Sequence, residues 1–379
     1  MLTARRLHTE VLREERDFGL LEEEWDDLYR DSPLATPFQS WAWLYSWWQY
    51  YGKEYDLRLV ALRCDDLLVG LMPLMLERRW GLSGRLLFIG NGLTDCSDVL
   101  VRGGWEAPVA EAGTEALRRM GSWQVADLQE LRPDAAAWGL FRAWSGARTH
   151  ISQSNCPAID AKPWDELLMS LTTKQRSDVR RTLRRAEKDG VVCTPAITED
   201  VEGAARRFVG LHREMWRGRG INPEHVSEEF ESHMVAAVGR LTARGQGGVF
   251  EFRRDGEVIA AQFLVFGGGL VAEHLFGANQ EAVRRYQVSS LNIWNAVNVA
   301  RSKNSAQVSL LRGEEPYKLR WASELTPNYR VILSEHPTLA RLYLASISLR
   351  SEAKRYRNSE GAPRWTRGLT QRSNTTSSQ

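Results

Sequence analysis

Two stretches of this chain, 190 residues apart, follow one plan, and that doubling limits the folds open to it. Phe18 and Leu21 align with Phe208 and Leu211, and Trp25 with Met215. Leu44, Trp47, Trp48 and Tyr51 align with Met234, Ala237, Val238 and Leu241. The turn Asp65-Asp66 meets Asp255-Gly256, and Val69-Gly70 meets Ile259-Ala260. Further on the offset becomes 183, where Gln124-Val125 meets Gln307-Val308 and Leu128 meets Leu311. The shared order is helix, helix, hairpin, strand, loop, helix, strand. A chain of 379 residues has room for two such units. The expectation is an α/β fold made of a tandem, duplicated unit, with mixed sheets flanked by helices. Residues 1–160 form the first copy and 161–340 the second, opened by a basic helix over 173–189. Residues 341–379 hold the rest of a terminal helix and a polar tail, disordered from Asn358 onward.

The second copy is easiest to read between Gly248 and Ser302. Val249–Phe252, Val258–Phe266 and Leu270–Phe276 are rich in β-branched and aromatic residues. Asp255-Gly256 and Gly267-Gly268-Gly269 separate them as turns. A polar loop, Asn279–Tyr286, then feeds a helix that Ser289 or Ser290 is placed to cap. A helix start delivered by a sheet offers free N–H groups to an anion.

In the first copy, Thr9–Arg30 reads as helix and Phe38–Tyr51 as a second one. The polar loop Asn91–Asp98 carries two carboxylates, Asp95 and Asp98, which as a pair can orient an amine. Between the copies, Thr172 or Thr173 is placed to cap the basic helix, which Gly190 ends. Arg176, Arg180, Arg181, Arg184, Arg185 and Lys188 crowd its outer face. That face is either a solvated surface paired with acids such as Glu187 or a dock for phosphate or another anion.

Composition removes several function classes. The formal net charge is only +2, so bulk electrostatics does not call for nucleic acid. The cysteines at 64, 96, 156 and 193 are scattered, and no histidine falls at ligand spacing, so no metal centre is expected. No run of eighteen apolar residues predicts a membrane span. The segment MLTARRLHTEVLREERDF has no apolar core of signal-peptide type, and a reducing, cytoplasmic setting is expected. There is no Walker motif, dinucleotide fingerprint, G-x-S-x-G or H-E-x-x-H. The fifteen tryptophans fit either thick helix–sheet packing or an aromatic-walled cleft.

Four motifs carry a resemblance. They are Phe38-Gln39-Ser40-x-x-Trp43, Leu171-Thr172-Thr173-Lys174-x-Arg176 with the arginines after it, Leu211-His212-x-x-x-Trp216, and Leu311-Arg312-Gly313-Glu314-Glu315-Pro316-Tyr317-Lys318-x-x-Trp321. Over residues 15–335 the chain resembles the GNAT acyltransferase superfamily. Within it, the chain is similar to the CelD-like group associated with cellulose and exopolysaccharide biosynthesis, and as a doubled fold it is similar to Fem-type aminoacyl transferases. The resemblance implies an acyltransferase that uses acetyl-CoA or another acyl-CoA and acts on an amine or hydroxyl of a small molecule or saccharide.

It places the donor-phosphate loop at Tyr286–Ser290, with Arg284, Arg285, Ser289, Ser290, Lys174 and Arg176 as phosphate-facing groups. This chain has Tyr-Gln-Val-Ser-Ser where standard acetyltransferases carry glycines that let the backbone approach phosphate. Glu273 is the expected base. His274 points to the opposite face by strand alternation, so only one of the two faces the cleft. Tyr317 is the expected acid, and Asp95, Asp98, Glu315, Lys318 and Trp321 are expected at the acceptor. Two other readings stay open at this point. One is an aminoacyl-tRNA-dependent transferase that uses the basic helix on RNA; the other is a non-catalytic binding factor with a degenerate donor site.

Overall fold

The computed structural model describes residues 7–78, 84–218 and 220–361. The first half runs β1 (Leu7–Leu12), α1 (Glu15–Leu20), α2 (Glu22–Arg30), α3 (Trp41–Tyr51), β2 (Tyr55–Cys64), β3 (Leu67–Glu77), β4 (Gly84–Phe88) and β5 (Leu100–Val101). It closes with α4 (Glu106–Met120), β6 (Trp123–Leu131), α5 (Trp138–Ala143) and β7 (Ala147–Asp160). Two linking helices follow, α6 (Trp164–Met169) and α7 (Thr173–Lys188). The second half begins β8 (Val192–Pro195), α8 (Val201–Trp216), α9 (Glu228–Ala243), β9 (Gly247–Arg254), β10 (Glu257–Gly267) and β11 (Leu270–Ala278). It continues α10 (Gln280–Arg285), α11 (Val288–Ser302), β12 (Gln307–Ser309), α12 (Pro316–Trp321) and β13 (Glu324–Ser334), and α13 (Pro337–Gly361) ends the described chain.

The repeat read from sequence is present in three dimensions. Asp65 and Asp255, at the paired hairpin turns, both take left-handed backbone, with φ 52° and 53°. That conformation suits a two-residue hairpin between right-twisted strands. In each half one strand pair is parallel, β4 with β6 and β11 with β12, and a helix, α4 or α11, crosses between them.

The copies exchange their last strands. β7, from the first half, pairs with β12 of the second, and β13 pairs with β6 of the first. β7 and β13 also pair with each other along their length. The two sheets therefore join into one, in the order β1-β2-β3-β4-β6-β13-β7-β12-β11-β10-β9-β8, with β5 beside β3. A division at residue 160 falls at the end of a strand that completes the other copy's sheet.

One face of the sheet carries a core common to both halves, in which Trp25, Phe38 and Trp43 pack with Phe208, Phe230 and Phe263. The opposite face is divided. Leu117, Leu140 and Trp144 cover the first half, and Leu168, Ile293 and Trp321 cover the second. Among the described residues, Trp25, Trp43 and Trp144 are almost wholly buried and serve as core packing.

Two local expectations need correction. Leu7–Leu12 is an edge strand on β2, and helix starts only at Glu15. The segment LHTEVL alternates with period two, a signal masked by the charged residues after it. α11 has no serine cap: Asn279 caps α10, accepting from Ala282 N at 2.8 Å, and Gln287 precedes α11 without a side-chain cap. The Thr172 cap is present as a capping box with Gln175. The terminal helix runs to Gly361, so the first residues of the expected tail are helical; residues 362–379 lie outside the described residues.

Candidate functional site

β11 and β12 are hydrogen-bonded only at Val271–Val308 and Ala272–Ser309. Beyond Ala272 the strands part, and the gap opens into a cleft of about 560 Å³ between the two halves. Glu273 and His274 both line it. The alternation argument fails here because the cleft is a gap in the sheet and not one of its faces. Residues from both faces of a splayed strand can therefore reach it.

Glu273 is almost fully buried. Gln262 Nε2 donates to its Oε2, and Asn295 in turn donates to Gln262 Oε1 at 3.0 Å, which fixes the amide's orientation. The Tyr317 hydroxyl lies 3.5 Å from Glu273 Oε1. Burial pushes the carboxyl up to about 7, against the opposing pull of Gln262, Lys318 and Tyr317. Burial also raises the Tyr317 phenol, with the Glu273 charge adding to it. A carboxylate poised near neutrality beside a protonated phenol can take one proton and supply another.

A second cluster joins the halves. Arg312 Nε donates to Asp95, its Nη1 lies 3.3 Å from Glu130, and its Nη2 donates to Gly92 O at 3.0 Å. Asn328 donates to Asp95 O at 2.8 Å and to Glu130 Oε2 at 3.0 Å, and Ser154 also donates to Glu130. His274 Nδ1 stands 3.5 Å from Asp95. Burial alone raises the Asp95 carboxyl, but Arg312 and His274 together hold it well below the usual range. Two residues at this clasp, Glu130 (φ 58°) and Leu311 (φ 55°), take left-handed backbone, which costs each on the order of 1–3 kcal/mol. The closing motif thus spends Arg312 on the interface and leaves Tyr317, Lys318 and Glu315 facing the cleft. Lys318 donates to Arg312 O at 2.6 Å and pairs with Glu315 at 3.1 Å.

The other motifs hold this site in place. Ser40 caps α3, accepting from Trp43 N, and Trp43 Nε1 donates to Thr94 at 2.9 Å. Gln39 reaches Cys96 O, so the Asp95 loop is pinned from both sides. The Phe38 and Trp43 rings pack against His274. At Gly277, α8 comes so close that a Cβ would stand 2.1 Å from the His212 backbone nitrogen. That contact sets His212 and Trp216 at the cleft wall.

Several expected site residues do other work. Asp98 accepts three backbone N–H groups, from Val99, Ala136 and Ala137, at 2.7–2.8 Å, and pins a loop outside the cleft. Trp321 is buried against Trp164, 5.4 Å between ring centres, and serves as core. Arg285 and Tyr286 are held by the Asp189 carboxylate, each at 2.6 Å, and Arg284 stands exposed. Ser290 donates to Gln287 Oε1 at 2.7 Å, Ser289 is half-buried beside it, and none of these five lines the cleft. Only the far end of α7 meets that loop, through Arg185, which donates to Arg285 O at 3.0 Å. Lys174 and Arg176 sit at the other end of the helix, about 14–17 Å from Arg185 by helical rise. Arg176 instead donates to Leu171 O.

Sequence reading missed Arg312, Glu130 and His225. A lone arginine among fifty basic residues gives no sign of its partner, and His225 sits on a short 3₁₀ turn without periodicity. Among the described residues no cluster could hold a metal ion, and no helix is long and apolar enough to cross a membrane. All four cysteines are free thiols.

Residues 173–319 match a family model described as an acetyltransferase (GNAT) domain. The structure is similar to that of FemX, at 13% identity and a TM-score of 0.61, over 85% of this chain and 98% of that one. It is also similar to the C-terminal domain of a putative lysylphosphatidylglycerol synthetase from Agrobacterium fabrum, at 12% identity and a TM-score of 0.53, over 89% and 97% of the chains. L-PGS from Bacillus licheniformis aligns at 11% identity and a TM-score of 0.53, over 89% and 99%. No curated protein matches the sequence. The chain has a doubled GNAT fold of the kind FemX has.

Proposed function

We propose that the protein transfers an acyl or aminoacyl group to an amine or hydroxyl bound in the cleft between its halves. The observation that supports this most directly is Glu273, buried at the strand splay with a carboxyl pushed up to about 7 and a phenol beside it. An incoming amine gives its proton to Glu273 and attacks the donor carbonyl. As the C–N bond forms, the C–O or C–S bond to the carrier breaks, and Tyr317 protonates the leaving oxygen or sulfur. Glu273 then returns its proton to Tyr317 across the 3.5 Å between them.

For the carrier, two observations favour an aminoacyl-tRNA over a coenzyme. The loop where a diphosphate is expected is occupied by Asp189, a carboxylate that already neutralises Arg285. Next to it, Arg180, Arg184 and Lys188 stand exposed and unpaired among the described residues, a surface suited to a polyanion. The FemX-like fold is consistent with that reading. The second reading, acyl-CoA as donor, rests on the acetyltransferase-domain match over 173–319.

The test offers the full chain acetyl-CoA or alanyl-tRNA, with glucosamine, lysine and a lysine-containing peptide as acceptors. Transfer from alanyl-tRNA that weakens steeply with salt supports the first carrier, and transfer from acetyl-CoA the second. Absence of transfer from either donor to any acceptor overturns acyl transfer.

A further inference from the structure

Outside the carboxylate chemistry, the cleft holds a pair of histidines whose hydrogen bonds leave one arrangement of protons. His212 Nδ1 lies 2.7 Å from Phe276 O. A carbonyl oxygen only accepts, so His212 carries its proton on Nδ1. In the neutral ring Nε2 is then a bare acceptor. It lies 3.0 Å from His225 Nδ1, so His225 must donate from Nδ1. His225 Nε2 is left with a lone pair and no partner among the described residues, on a ring that lines the cleft and stacks on Phe230 at 4.5 Å.

We propose that His225 Nε2 is the hydrogen-bond acceptor that orients the N–H or O–H of the acceptor substrate, with His212 and the Phe276 carbonyl as positioning groups. The proposal rests on the acyl-transfer reading for the substrate's role but not for the geometry. His225 takes no proton in this scheme; that remains the work of Glu273. Its surroundings agree. Burial lowers its pKa to about 3, with His212 and His274 pulling the same way and only Asp95 opposing, so the lone pair persists through the neutral range. Burial likewise lowers His212. The titratable and charged groups facing the pair are His274 and Asp95 across the cleft, and Arg213 on α8, whose Nε donates to His225 O at 3.0 Å. A site built around a lone acceptor selects substrates that carry a donor and rejects analogues that leave it bare.

The experiment labels histidine nitrogens in the full-length protein and records their tautomers from pH 5.5 to 8. Both rings should show protonated Nδ1 and pyridine-like Nε2 throughout. Adding glucosamine or lysine as an amine-bearing probe should move the His225 Nε2 resonance more than its Nδ1. His225→Phe keeps the stacked ring and removes both the lone pair and the Nδ1–H that His212 Nε2 accepts. It should lower the melting temperature, because His212 Nε2 loses its donor, and leave donor binding within about twofold while lowering acceptor kcat/KM at least tenfold. A proton on Nε2 of either ring, or an unchanged acceptor kcat/KM in His225→Phe, overturns the proposal. Correct tautomers and probe binding lost in His225→Phe, in a protein that transfers no acyl group, refute acyl transfer and leave the binding role standing.

Discussion

Removing Arg312 tests whether the two halves are held by a buried charge cluster. Arg312→Met keeps the aliphatic stem and deletes the guanidinium, which leaves Glu130 without its arginine and Asp95 with His274 alone inside a protein interior. Breaking a buried pair from one side costs about 3–5 kcal/mol. The Arg312 side chain is 29% exposed, which places the loss at the low end, about 3 kcal/mol at pH 8.

The sign of the pH dependence follows from the carboxylates. In the parent, Asp95 has a folded value below its unfolded one, about 3.9, so its contribution is present above that pH and lost as pH falls through the folded value. In the variant the guanidinium no longer opposes burial, the largest influence on Asp95, and the folded value rises above the unfolded one. The penalty is therefore full at neutral pH and is relieved as pH falls toward about 4, where the carboxyl enters the folded state protonated. Urea unfolding of both proteins at pH 8 and pH 4 should give a gap of about 3 kcal/mol in the first case and under about 1 kcal/mol in the second. An equal gap at the two pH values, or less than about 1 kcal/mol at pH 8, refutes the clasp.

Glu273→Gln should lower kcat/KM by about 10²–10⁴-fold and abolish the rise of activity through about pH 7, read from a pH–rate profile. Because the folded value of Glu273 is raised, the parent also loses stability as pH climbs through about 7, and Glu273→Gln should not; melting at pH 6 and 8.5 shows it. Gly277→Ala forces a Cβ into the α8 backbone and should cost about 1–3 kcal/mol or more in urea unfolding; a loss below 0.5 kcal/mol, a roughly neutral surface-like effect, contradicts the close approach. Asp189→Asn frees Arg285 and should strengthen pyrophosphate binding several-fold by calorimetry, and unchanged binding rules that loop out as an anion site.

What the sequence disclosed and what it hid divide along a physical line. Local patterns were legible: the Thr172 cap, the paired turns at Asp65 and Asp255, and the three strands after Gly248 all depend on neighbours in the chain, whereas the expected loop Asn279–Tyr286 holds the short helix α10. The order of strands at the centre of the sheet was not. β7 and β13 trade halves through pairings separated by more than a hundred residues, and nothing in either strand marks its partner. The site inherits this split. Asp95, Glu273, Glu315, Tyr317 and Lys318 do meet in one cleft. Arg312 was legible as part of the closing motif but its role was not, because its partners lie on a loop and a strand of the other half. The exchange of β13 next to β6 sets Asn328 between Asp95 and Glu130, and so fixes both acids around Arg312. A closing motif that reads as a string of charges is therefore a fastener on one side and a cleft lining on the other, and only the crossed strands show which residue serves which end.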